Sequence, residues 1–65
     1  MTELSKKVLH ILQTAEGKSS FLTSELKEYG ISESEAEVAF KELESNGHIY
    51  VSCKYVSGTP VYKLV

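Results

Sequence analysis

The chain has 65 residues, 7 of them basic and 9 acidic, for a formal net charge of −2. That length supports one domain, residues 1–65, and a domain this small buries only about 60% of the surface its unfolded chain exposes, so nearly every apolar residue must serve the core. The 42% apolar content excludes intrinsic disorder, and no apolar run approaches the ~18 residues that span a bilayer.

The four glycines, Gly17, Gly30, Gly47 and Gly58, punctuate the chain into helix, helix, helix and hairpin. In the first segment Leu4, Val8, Ile11, Leu12 and Ala15 recur at helical spacing on one face. Thr2 stands at the N-cap, with Glu3 where the helix dipole favours an acid. The stretch Lys18-Ser19-Ser20-Phe21-Leu22 is too short for a helix and has room for a short third strand near Ser20-Leu22. A second, short helix then runs to Tyr29, capped by Thr23 or Ser24, with Leu22, Leu26 and Tyr29 on its inner face. Gly30-Ile31 makes a tight turn. Ser32-x-x-Glu35 is a capping box that opens the third helix, in which Ala36, Ala39, Phe40 and Leu43 share one face.

The remainder alternates as a strand does. Ile49, Val51, Cys53 and Tyr55 lie on one side. A two-residue turn at Ser57-Gly58 would pair Cys53 with Tyr62, Val51 with Leu64, Tyr50 with Val65, Ser52 with Lys63 and Lys54 with Val61. That register makes one face apolar, as a half-buried hairpin requires, and turns Tyr50, Val61 and Val65 outward. The expected class is therefore α+β: three helices and a C-terminal two-stranded hairpin.

The reactive side chains do not assemble. Cys53 is the single cysteine, so there is no internal disulfide, and a reducing, cytoplasmic setting is expected. The N-terminus lacks the basic-then-apolar order of a signal peptide. His48 and Cys53, five apart on one strand, point to opposite faces, and His10 sits on the polar side of the first helix. No metal site, cofactor or phosphate loop is implied, Cys53 reads as a small core residue, and catalysis is not expected from so small a core.

The order of elements resembles the winged helix-turn-helix family. The residues that carry the likeness are Phe21-Leu22-Thr23-Ser24-Glu25-Leu26, Gly30-Ile31-Ser32, Phe40 through Ile49, and the closing Val61-Tyr62-Lys63-Leu64. Such modules are common as small bacterial, archaeal and phage DNA-binding regulators of transcription. The resemblance implies a third helix that enters the major groove of duplex DNA and a hairpin wing that touches the backbone. Carried onto this chain, the outward stripe of the third helix is Ser34, Val38, Lys41 and Ser45. The wing runs from Lys54 to Thr59, with Lys54, Tyr55, Ser57 and Thr59 as its contacting residues. Thr23 and Ser24 would meet phosphates at the start of the second helix, with Lys18 and Lys27 adding charge. A homodimer would double these contacts on a two-fold operator.

The charge pattern departs from that expectation. Every base is Lys, so arginine, the usual bidentate reader of guanine, is absent. Residues 31–47 hold one lysine, Lys41, against five glutamates, a net −4, whereas residues 48–65 hold Lys54 and Lys63 and no acid. Glu33 and Glu44 fall nearer the apolar side of the helical wheel, and Glu37 and Glu42 flank the outward stripe. An acidic helix repels phosphates. The alternative is a protein–protein module of the same fold, contacting its partner through Glu37, Glu42, Tyr50, Val61 and Val65.

Overall fold

A computed structural model describes residues Met1–Val65. Helix α1 spans Glu3–Thr14, a 3₁₀ helix spans Thr23–Tyr29, α2 spans Glu33–Ser45, and strands β1 (Ile49–Lys54) and β2 (Pro60–Leu64) close the chain. This is an α+β fold of three helical segments followed by an antiparallel hairpin. No helix is long and apolar enough to cross a membrane.

Local chemistry sets most of the boundaries. The Thr2 hydroxyl accepts from the Ser5 N–H at 3.2 Å and caps α1. At α2 the Ser32 hydroxyl accepts from the Glu35 N–H, and the Glu35 carboxylate accepts from the Ser32 N–H, both at 3.2 Å. The middle helix differs from expectation: its turns are 3₁₀, and Leu22, rather than Thr23 or Ser24, takes the cap position. The Glu25 carboxylate accepts from the Leu22 N–H at 2.7 Å, and the Glu25 N–H donates to the Leu22 carbonyl at 3.1 Å, so that donor is met without a hydroxyl cap. A seven-residue helix barely repays the cost of nucleation, and tight i→i+3 bonds are how short pieces close. Gly30, at φ +78°, ends it in the left-handed region and donates to Leu26 and Lys27.

One core joins all the elements. Val8 and Leu12 of α1, Phe21, Leu26, Ile31, the α2 face Ala36, Ala39, Phe40 and Leu43, and Ile49 and Tyr62 of the hairpin form a single buried cluster. Phe40 and Tyr62 meet edge to face, with ring centroids 4.8 Å apart at 88°. Tyr29, expected on the inner face, is exposed. The short extended piece is a single antiparallel bridge, Phe21 with Tyr62, through reciprocal bonds of 2.8 and 2.9 Å. It adds a third element alongside β2.

The hairpin register is the main correction. Ile49 pairs with Leu64, Tyr50 with Lys63 and Val51 with Tyr62; beyond an irregularity at Ser52, Cys53 pairs with Val61 and Lys54 with Pro60. The cause is the turn. A two-residue hairpin loop needs positive φ at its first central residue, yet Gly58 is the only residue of the loop with positive φ (+92°). Ser57 therefore cannot lead such a turn. The loop takes three residues instead: the Gly58 N–H donates to Tyr55 at 2.8 Å, and the Tyr55 N–H donates to Thr59 at 2.9 Å. Ser52 is left as a bulge, its hydroxyl donating to the Val61 carbonyl at 3.2 Å.

The consequences run through three residues. Directly paired residues share a face, so Tyr62 with Val51 points to the core while Cys53 leaves it. Cys53 is exposed, not a core residue. Val61 shares the Cys53 face, opposite Tyr62, yet is buried there, outside the main core cluster.

Candidate nucleic-acid interface

Helix α2 presents Ser34, Val38, Lys41 and Ser45 to solvent in one line, the arrangement expected of the third helix. The line follows from the opposite face, since burying Ala36, Ala39, Phe40 and Leu43 leaves these four outside. Val38 is 64% exposed and so takes no part in the core.

The hairpin lies beside this helix. Thr23, Glu33, Glu37 and Lys41 on one side and Thr59, Pro60 and Tyr62 on the other line a single open groove of about 230 Å³. The structure thus brings together four of the expected site residues, Thr23, Glu37, Lys41 and Thr59. At the wing, Lys54, Tyr55, Val56, Ser57 and Thr59 are exposed, and the Ser57 and Thr59 hydroxyls lie 3.1 Å apart. Ser24 is exposed at the start of the 3₁₀ helix.

Other expected contributors are engaged elsewhere. Lys18 pairs with Glu25, and Lys27 lies 3.6 Å from Glu33. Both ammonium groups are therefore partly neutralised within the chain. Glu33, expected near the apolar side, instead faces this groove and is exposed. Glu42, expected to flank the outward stripe, is half-buried and turned toward α1. Its carboxylate accepts from the Thr2 N–H at 2.7 Å and the Thr2 hydroxyl at 3.2 Å. Hydrogen bonds from the Thr2 N–H, then from the Ser5 hydroxyl, hold Glu42 below the ordinary carboxyl value of 4.5. Its placement is structural.

The outward hairpin patch does not form. Tyr50 and Val65 are exposed, but Val61 is buried, and Tyr50 pairs with Lys63 instead of Val65. The Val65 N–H donates to the His48 carbonyl at 3.0 Å, beyond the end of the strand.

Sequence reasoning missed Glu33, Pro60 and Tyr62 as groove residues. Tyr62 was assigned to the core opposite Cys53, and half of that assignment holds, since its ring is in the core. Its other end lines the groove. Compared with protein-family models, with curated proteins and with solved structures, the chain matches none.

Proposed function

We propose that the chain is a small winged-helix module that docks on duplex DNA with α2 and the hairpin, as a regulator of transcription. The observation that supports this most is the exposed line Ser34, Val38, Lys41 and Ser45 with the acid-free hairpin beside it. Small, nearly neutral side chains can enter a major groove, while Lys54 and the wing hydroxyls meet the backbone. The test is an amide-resolved NMR titration with a mixed-sequence duplex at low salt, where phosphate contacts register without the right operator. Shifts at Ser34, Val38, Lys41 and Lys54 through Thr59 are the expected result. A silent spectrum overturns the reading.

A second reading, a protein–protein module, draws on a different observation. Glu33 and Glu37 line the groove beside α2, and Val38, Tyr55 and Val56 are exposed apolar side chains on α2 and the wing. Aromatic and apolar residues of this kind are typical interface anchors. Glu37→Lys separates the two readings: it strengthens duplex binding under the first and abolishes partner binding under the second.

A further inference from the structure

The groove between α2 and β2 holds one group that neither the fold nor the outward stripe uses. Tyr62 is only 7% exposed, yet its hydroxyl has no hydrogen-bond partner within the chain. No fully buried side-chain polar atom is left unpartnered. The hydroxyl oxygen therefore reaches solvent, and Tyr62 is one of the residues that line the groove. Burial, then the charges of Glu44 and Glu37, push this phenol above its ordinary value of 10.0, with no lysine offsetting them. The hydroxyl is thus protonated at neutral pH and sits in a negative potential.

Glu37 completes the pair. The three ion pairs of the chain are Lys6 with Glu3, Lys18 with Glu25 and Lys27 with Glu33, which leaves Glu37 without one. Lys41, one turn along, lines the same groove but does not close on Glu37. A tyrosine with an unpartnered hydroxyl and an unpaired carboxylate lining one groove suit a cationic donor. They repel a phosphate.

We propose that this groove receives an arginine side chain from a protein partner, its guanidinium donating both to the Glu37 carboxylate and to the Tyr62 hydroxyl oxygen. A guanidinium carries five N–H donors in a planar fork and so serves two acceptors at once, which a single ammonium does less well. The groove, about 230 Å³, has room for one long side chain. The site uses the hairpin-side flank of α2 and shares only Lys41 with the outward stripe, and its test needs no nucleic acid.

The test is an NMR titration of the whole chain with a blocked Gly-Arg-Gly peptide, run beside the isosteric peptide with citrulline in place of arginine. The expected result is saturable shifts at Thr23, Glu37, Thr59 and Tyr62 with the arginine peptide and none with citrulline. Tyr62→Phe and Glu37→Gln each reduce those shifts about tenfold at a fixed peptide concentration, the loss of one charge-assisted hydrogen bond. Tyr62→Phe keeps the ring against Phe40, and Glu37 is exposed, so both variants retain a folded spectrum. Equal shifts from citrulline overturn the proposal. So do shifts spread over Glu3, Glu16 and Glu28, shifts unchanged by Tyr62→Phe, or groove shifts produced by inorganic phosphate. Failure of the duplex titration leaves these outcomes untouched, because no nucleic acid is present.

Discussion

Glu42 of α2 accepts a hydrogen bond from the backbone N–H of Thr2 at 2.7 Å, across 40 positions of sequence. The first turn of α1 has N–H groups that its own helix cannot satisfy. A carboxylate of the neighbouring helix supplies the acceptor, and a negative charge is favoured at that end of the dipole. The same contact ties α1 to α2 at the end where the chain is otherwise free to fray.

The pH dependence of stability follows from this contact. Glu42 and Glu35 are both held below 4.5 in the folded state, Glu42 first by the Thr2 N–H and Glu35 first by the Ser32 N–H. A carboxyl lowered by folding contributes stability above its unfolded value and loses it as pH falls through the folded value. The chain therefore weakens below about pH 4.5. Glu42→Gln lowers the melting temperature at about pH 7 and has a smaller effect in acid below the folded value, where protonation of Glu42 makes the two forms alike. Equal losses at the two pH values would show that the charge is irrelevant.

Gly58 decides the hairpin register. Its φ is +92°, and a Cβ built there meets nothing within 4 Å, so the strain of Gly58→Ala is purely conformational. A cost of about 1–2 kcal/mol is expected. Cross-strand proton contacts between Val51 and Tyr62 should weaken with it, and denaturant melts measure the loss.

Phe40 is the keystone of the core: fully buried on α2, it meets the edge of Tyr62. Phe40→Ala costs about 3–5 kcal/mol, which is comparable to the whole stability of a domain this size. The expected outcome is a chain unfolded at room temperature by circular dichroism. Tyr62→Phe, which removes a hydroxyl with no internal partner, should leave the melt nearly unchanged.

The lysines should not contribute equally to duplex binding. Lys54 has no ion-pair partner, whereas Lys27 lies 3.6 Å from Glu33 and Lys18 is paired with Glu25. Lys54→Ala should reduce the slope of log affinity against log salt by about one unit. Lys27→Ala should reduce it by less, because Glu33 already partly neutralises its charge. An unchanged slope for Lys54→Ala would remove Lys54 from the interface.

Periodicity and capping alone located α1 and α2, their buried faces and the outward line Ser34, Val38, Lys41 and Ser45. Those features depend on neighbours within a turn or two, so they are written in local spacing. The hairpin was legible as alternation, but its register was not. A choice between a two-residue and a three-residue loop rests on the sign of φ at Ser57 and Gly58, and residue type leaves both loops open. A bulge at Ser52 then put Cys53 and Val61 together on the face away from Tyr62, with Cys53 exposed and Val61 covered. Nor could sequence show that Glu42 caps α1, that Lys27 is paired with Glu33, or that Tyr62 lines a groove between α2 and β2. Each depends on groups that different elements bring together. The helical wheel gives a side chain its face, and only packing against the other elements decides what that face meets.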